Sequence, residues 1–494
     1  MAMVGTLSRR VASLGVVELL TATTIGVYLL VVVGVSTAFL DGATACSTWP
    51  LCSDELLLSL DDPLPYAVAW GHRVVALVVG LLLFGTAVRA WASRQTTPTR
   101  VRTALTVGAA LYPVQVAIGA LTAVSGAPTS ISSVHLVVAM TIFSALLLAL
   151  LWQLEVETPV EESAAASRPV ADQHPHHGSA VSTATPTDDT LSLDAQADAI
   201  DTQASLGFAD LVRAYVSLTK PKLWWLLCLV ALASMGIAGG RTLDPWTVVA
   251  TLVGGVLAIG ASGTFNNVLE RDVDRRMART NDRPLVEGRI PVRNAVNFGF
   301  VLTFASVVVF VTFVNVLAAA LGALAIVFYT VVYTLLLKPH TTHNIVLGGA
   351  VGAFPALIGW AAVTNTVGMP AIVLGVVIFL WTPAHFYNLA MAYRDDYERA
   401  GFPMLPVVRG ESVTRRHIML YLGATMLAAI ALGSHQRLDV VYAVTVAAVG
   451  GVFVWAVVGL FRERTERAAF RAFHTSNAYL GSLLVAVVVD TLLL

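Results

Sequence analysis

Asn266-Asn267-Val268-Leu269-Glu270-Arg271-Asp272-Val273-Asp274-Arg275-Arg276-Met277-Ala278-Arg279-Thr280-Asn281-Asp282-Arg283-Pro284-Leu285 is a charged block set between two apolar stretches. From Glu270 to Arg293 it holds seven arginines and five carboxylates. So polar a cluster at the end of a hydrocarbon-like stretch needs water, a metal or an anionic ligand. Asn266, Glu270 and Asp274 fall at i, i+4 and i+8, so on a helix they share one slowly drifting face. Three oxygen-bearing side chains on one face are hard donors of the kind Mg2+ accepts, and that ion keeps waters and substrate phosphates as further ligands. The arginines beside them suit phosphate oxygens, which a guanidinium grips with two parallel N–H groups. The plainer reading is a cytoplasmic loop rich in positive charge with internal ion pairs.

A second block shifts the balance. Trp381-Thr382-Pro383-Ala384-His385 runs on through Tyr393-Arg394-Asp395-Asp396-Tyr397-Glu398-Arg399, and again carboxylates and arginines gather at the end of an apolar stretch. His385 sits inside that stretch, and an ionisable side chain at such a depth is a functional candidate. Its plainer role is a hydrogen bond to a neighbouring helix.

The surroundings of both blocks are membrane-like. Of 494 residues 56% are hydrophobic and only 12% charged, against about 25% charged in soluble domains. A net charge of −1 gives no basic footprint for nucleic acid. At about twenty apolar residues per crossing, the chain reads as all-α and polytopic, with about thirteen transmembrane helices. Four cover roughly 13–39, 64–89, 103–124 and 133–153. Nine more cover roughly 223–239, 246–265, 295–314, 316–337, 345–364, 370–390, 417–433, 439–461 and 474–493. Ser8-Arg9-Arg10 precedes the first span without a small-residue cleavage site, so an uncleaved first span is expected. Arg9, Arg10, the loop of Arg89–Arg102, Lys220, Lys338 and both charged blocks fall on one side. The positive-inside rule makes that side cytoplasmic and the C-terminus external.

Three regions are expected: a four-helix membrane module over 1–154, an acidic linker over 155–209 and a nine-helix module over 210–494. Residues 155–205 carry ten carboxylates and one arginine, too little apolar surface to order themselves. His174, His176 and His177 are read as part of that linker. In the first module, Cys46 and Cys52 flank an external loop, where a disulfide is reasonable. Cys228 lies inside a span and reads as an inert thiol. His72 and His135 lie near the outer ends of neighbouring spans, and two such histidines can supply both axial ligands of a haem.

The nine-helix part resembles the UbiA superfamily of intramembrane prenyltransferases, and within it the protoheme IX farnesyltransferases, or haem O synthases. Carrying the resemblance are Leu218-Thr219-Lys220-Pro221-Lys222, Asn266–Leu285, Tyr333-Thr334 with Lys338, Asn344-Ile345-Val346-Leu347-Gly348-Gly349, Gly359-Trp360 and His385–Leu405. It implies a fold of bundled helices and an Mg2+-dependent reaction of haem B with farnesyl diphosphate and water, yielding haem O and diphosphate. Asn266, Glu270, Asp274, Asp395 and Asp396 would serve the metal, with Asn266, Glu270, Asp274 and Asp396 catalytic and Asp272 an extra candidate. Lys220, Arg271, Arg275, Arg279 and Lys338 would hold the diphosphate, and His385 the haem. The superfamily usually has aspartate where Glu270 stands, and a second aspartate where Ala400 stands.

The four-helix part is similar to one half of haem A synthase through Trp49-Pro50-Leu51-Cys52, His72-Arg73, Gln115 with Gly119, and His135-Leu136. It implies haem B held by His72 and His135. That family's glutamate three residues before the first histidine is replaced by Ala69, so oxidation of a haem methyl is not carried over. Expected partners are the bilayer, the two substrates, and haem A synthase or terminal-oxidase assembly proteins, in a multi-pass cell-membrane protein. Competing readings are a prenyltransferase acting on a quinone or ether-lipid precursor, a transporter, and a haem-binding membrane carrier.

Overall fold

A computed structural model describes residues 15–39, 48–50, 52, 63–157, 207–436 and 438–493. The expected linker and its histidines, and Arg9 and Arg10, lie outside the described residues. Among the described residues thirteen helices are long and apolar enough to cross a membrane, as the hydropathy pattern predicts.

The first four are α1 (Val16–Phe39), α2 (Pro63–Ala92), α3 (Thr99–Val124) and α4 (Thr129–Glu157). After them comes a short helix absent from the sequence reading, α5 (Phe208–Leu218). Its Ala214 and Leu218 are buried against Leu285, Ile290 and Ala295. Phe208, Leu211, Val212 and Val216 form an exposed apolar stripe, of the kind interfacial helices sink into the headgroup region. The second bundle comprises α6 (Trp224–Gly239), α7 (Pro245–Leu269), a one-turn α8 (Arg271–Asp274), α9 (Val292–Phe313) and α10 (Val316–Val327). A π-helical segment, Phe328–Leu337, continues α10 without a break. Next are α11 (Asn344–Gly348), α12 (Ala350–Thr364), α13 (Met369–Ala392), α14 (Arg394–Ala400), α15 (Leu405–Val408), α16 (Gly410–Gln436), α17 (Val440–Glu463) and α18 (Glu466–Leu492). α16 and α18 begin earlier than hydropathy suggests. Their first turns are charged, and a helix can run on past the apolar slab without an apolar side chain.

The two bundles share one continuous buried core. Tyr28 of α1 reaches Tyr479 of α18, hydroxyl to hydroxyl at 3.3 Å. Gly450 of α17 leaves the space that the Tyr28 ring fills, and Gly451 does the same for Ile25. Small residues at such crossings let backbones approach where the hydrophobic effect gives no drive. Charged pairs close the same interface at one rim. Glu155 of α4 meets Arg416 of α16 at 2.6 Å and Arg100 of α3 at 3.2 Å. Glu18 of α1 meets Arg462 of α17.

At the opposite end, Asp490 of α18 accepts the backbone N–H groups of Asp439 (2.9 Å) and Tyr442 (3.2 Å). It satisfies part of the first turn of α17, where orphan donors and the helix dipole favour a carboxylate.

Candidate active site at the rim of the second bundle

The first acidic block keeps its helical register although α7 ends at Leu269. The Glu270 N–H bonds the Asn266 carbonyl at 2.9 Å, and the Asp274 N–H bonds the Glu270 carbonyl at 2.7 Å. The three side chains therefore stay on one face, as the i, i+4, i+8 spacing predicts, and all three are buried. Each meets a cation or polar partner. The Lys220 ammonium donates to Asn266 Oδ1, and Asn266 Nδ2 donates to Thr334 Oγ1 at 3.0 Å. Lys338 pairs with Glu270 at 2.6 Å. Arg283 pairs with Asp274 at 2.6 Å and reaches Asn267 Oδ1 at 2.9 Å.

Two backbone devices aim these groups. Lys220 is left-handed (φ 54°, ψ 60°) at the hinge between α5 and α6, a conformation uncommon outside glycine and often found at functional sites. The π segment rotates Tyr329, Tyr333 and Thr334 relative to an α-helix, and such segments are frequent at sites. The Tyr329 hydroxyl lies 3.4 Å from the Lys220 ammonium.

The second block arrives through Asp396. Its Oδ1 and Oδ2 accept the backbone N–H groups of Ala278 (3.3 Å) and Arg279 (3.2 Å), and Arg399 pairs with it. Thr280 of the same loop donates to the Asp274 carbonyl at 3.0 Å. Residues 274–280 thus tie the two blocks together at one rim of the bundle. The Arg279 guanidinium lies over the Tyr393 ring at 4.7 Å and the Tyr397 ring at 5.6 Å.

The electrostatics follow from burial and pairing. Burial pushes the Glu270 carboxyl up, but Lys338 and Lys220 outweigh it and hold the group below its ordinary value. Burial would lower Lys338, yet Glu270 and Tyr397 keep it above its usual range. Burial brings Lys220 down to about 7. It also raises Asp274 despite Arg283.

Other expected groups stand apart. Asp395 and Arg275 are exposed. Arg271 pairs with the exposed Asp272 at 3.4 Å. Arg283, Thr334, Tyr329 and Tyr397 belong to the cluster although the sequence reading assigned them no role. The signal for Thr334 and Tyr329 was the hydroxyl side chains set in the apolar run before Lys338; Arg283 had no feature separating it from its neighbouring arginines.

Behind Lys220 an apolar cavity opens between α6, α7, α10 with its π segment, and α12. Cys228 lines it.

His385 is buried and stacked between the rings of Trp381 (4.3 Å) and Phe473 (4.4 Å). The Ser476 hydroxyl spends its one hydrogen on the Phe473 carbonyl at 2.7 Å. Its oxygen must then accept from His385 Nδ1–H, also at 2.7 Å. That leaves the lone pair on Nε2.

In the first bundle, His72 lies on α2 and His135 on α4. The two are placed alike. The His72 ring fills the space a Cβ would need at Gly34 of α1, and the His135 ring does so at Gly119 of α3. Both Nδ1 atoms are buried without a hydrogen-bond partner, while His135 Nε2 lies 3.2 Å from Gln115 Nε2. Ala69 packs with Cys52 and Tyr66, so an apolar contact occupies the place of the glutamate. Cys52 is disulfide-bonded; Cys46, its expected partner, lies outside the described residues.

Comparison with known proteins agrees with both halves. A family model described as UbiA prenyltransferase family matches residues 227–481, and one described as cytochrome oxidase assembly protein (COX15-CtaA) matches 6–147. A protoheme IX farnesyltransferase of Haloarcula marismortui is 53% identical, covering 96% of this chain and 98% of its own. Protoheme IX farnesyltransferase 1 of Natronomonas pharaonis is 55% identical over the same shares. A solved UbiA homolog from Archaeoglobus fulgidus, bound to GPP and Mg2+, is 15% identical with a TM-score of 0.44, covering 56% of this chain and 99% of its own. By the family match and by identity along nearly its whole length, the chain belongs to the UbiA prenyltransferase family, among the protoheme IX farnesyltransferases.

Proposed function

We propose that this chain joins farnesyl diphosphate, haem B and water to give haem O and diphosphate. One observation carries the reading: buried oxygen donors at the rim, faced by the half-buried Lys220, Lys338 and Arg283, share Lys220 with an apolar cavity running into the bundle. A ligand with a highly charged head and a greasy tail fits that pair of environments.

Asn266, Glu270, Asp274 and Asp396 would hold Mg2+. The donor set fits the ion in kind: all four side chains offer oxygen, the hard donor it takes. Mg2+ typically binds through one or two carboxylates and leaves room for phosphate oxygens and water. Bound there, it supplies a Lewis acid to the leaving diphosphate. Lys220, Lys338, Arg279 and Arg283 place positive charge where negative charge grows as the C1–O bond of the prenyl donor breaks. The electron pair leaves with diphosphate. The allylic cation takes electrons from a vinyl group of haem B, and water caps the resulting porphyrin-side cation with loss of a proton. His385 Nε2, directed by Ser476 and clamped by two aromatic rings, is the group we assign to haem.

We further propose that the charged rim is cytoplasmic and the C-terminus external, with regions 1–154, 155–209 and 210–494 as above. His72 and His135 would bind a haem B in the first bundle; the unpartnered ring nitrogens and the two glycine cradles suit that group.

Incubation with haem B and farnesyl diphosphate, then mass analysis of the porphyrin, tests the reaction. Product with a quinone or ether-lipid precursor and none with haem would overturn it. For the first bundle, the absorbance of a low-spin haem in the full-length protein should be lost in His72→Ala; an unchanged spectrum refutes the assignment.

A further inference from the structure

We propose that the cavity behind Lys220 is a length gauge for the prenyl tail, with Gly255 at its waist and Thr251 and Ile358 at its floor. The inference deepens the proposed reaction and rests on it. On α7 the lining residues are Ser262 and Gly263, Ala258 and Ile259, Gly255, then Leu252 and Thr251. Steps of three and four make this a single helical face leading away from the charged rim.

The gauge has a measurable depth. From Ser262 to Thr251 is eleven residues, or about 16 Å of helix. An isoprene unit has four bonds in its main line, one more than a residue that spans about 3.5 Å, so it extends about 5 Å. Three units reach about 15 Å and end at Thr251. Two units end about level with Gly255, roughly 10 Å from Ser262. Four units overrun the floor.

The floor is closed by packing. Ala231 of α6 presses its carbonyl against Gly359 of α12, an approach that only a missing Cβ allows. Ile358 beside it is buried with Phe310, Ala318 and Ala319. Phe310 also fills the space at Gly254. At the waist, a Cβ on Gly255 would meet no atom within 4 Å, so a side chain there would project into free space.

Thr251 adds a second, independent observation. It is 1% exposed, and its hydroxyl has no hydrogen-bond partner. Most threonines in these helices bond the carbonyl four residues back, as Thr264 does. The double bond of the last isoprene unit offers a π face to which a free hydroxyl can donate. Thr251 therefore reads whether the third unit has arrived.

The test uses purified full-length protein with haem B, Mg2+ and geranyl, farnesyl or geranylgeranyl diphosphate, and measures the mass and rate of the porphyrin product. Wild type should favour farnesyl. Gly255→Leu should lower farnesyl relative to geranyl use by tenfold or more. Ile358→Ala should raise geranylgeranyl relative to farnesyl use by a similar factor. Thr251→Val keeps the side-chain shape and removes the orphan hydroxyl. It should slow farnesyl several-fold and leave geranyl unchanged. A wild type indifferent to length, or variants that lose all three donors equally, would overturn the gauge. If no donor prenylates the porphyrin, the reaction assignment falls instead. The gauge is then read from protection against thermal unfolding by the three diphosphates: a farnesyl optimum that shifts in the variants supports it, and a flat order overturns it.

Discussion

Lys338→Met separates what the Lys338–Glu270 pair does for the fold from what it does for the reaction. The pair is 2.6 Å long, and the side chains are 14% and 8% exposed. Removing one partner of a buried pair typically costs about 3–5 kcal/mol, whereas replacing both with apolar groups is often neutral. Lys220 also faces Glu270, so the low end, about 3 kcal/mol, is expected for the single change. The double variant Glu270→Leu with Lys338→Met should regain most of it. Unfolding midpoints in detergent with a chelator present, so that no ion competes for the carboxylate, measure this directly. The pH dependence carries a sign. In the wild type Glu270 titrates below its ordinary value. Its contribution is present above the usual carboxylate range and lost as pH falls through the depressed value. Without Lys338, burial acts with less opposition and the carboxyl moves up. The folded variant then binds more protons than the unfolded chain near neutrality, so its stability should rise on acidification from pH 7 toward 5. Neither variant should turn over, because Lys338 is also assigned to the diphosphate. A Lys338→Met protein as stable as wild type at pH 7, or one with no gain on acidification, refutes the reasoning.

Asp274→Ala and Asp396→Ala should each lower farnesyl transfer at least a hundredfold while the protein still inserts, as followed by turnover and by membrane fractionation. Wild-type rates in either would remove the carboxylates from the site. Chelation with EDTA should abolish turnover and added Mg2+ should restore it; activity indifferent to the chelator contradicts the metal assignment. Gly450→Leu should wedge the two bundles apart, since a side chain there meets the Tyr28 ring. A cysteine pair placed across α1 and α17 should then crosslink less than in the parent, and equal crosslinking would refute the packing argument.

The helical layers were legible because a membrane span must satisfy its own backbone and present apolar side chains, and both demands are written locally. The i, i+4, i+8 set was legible for the same reason: its geometry is that of one helix. What escaped the sequence was non-local. Arg283 became the partner of Asp274 only through the loop that folds residues 275–282 back on themselves. Nothing local separates Arg283 from Arg276 or Arg275, which are exposed. The π register that turns Thr334 toward Asn266 depends on how α10 packs, since a run such as Phe328–Leu337 fits an α-helix equally well. Likewise, hydropathy predicts that α1 and α17 cross a membrane, but the Gly450–Tyr28 contact between them depends on shape.

The charge pattern at the rim also explains how so many ionised groups survive there. Lys338 faces Glu270, Arg283 faces Asp274 and Arg399 faces Asp396, so each buried carboxylate has a cation beside it, as a buried charge must. A magnesium diphosphate brings both signs at once. Its cation can take over the carboxylates while its phosphates take over the lysines and arginines, and the exchange leaves no buried charge alone. Diphosphate without the metal would strand the carboxylates, and the metal without diphosphate would strand the cations. On this argument the two should bind with positive coupling. Prenyl diphosphate affinity measured at rising Mg2+ should increase at least tenfold, a coupling of about 1.4 kcal/mol. Thermodynamic reciprocity requires Mg2+ affinity to rise by the same factor with the diphosphate present. Independent binding of the two would mean that the lysines and arginines remain on the carboxylates when substrate is bound, and that they do not stabilise the leaving group.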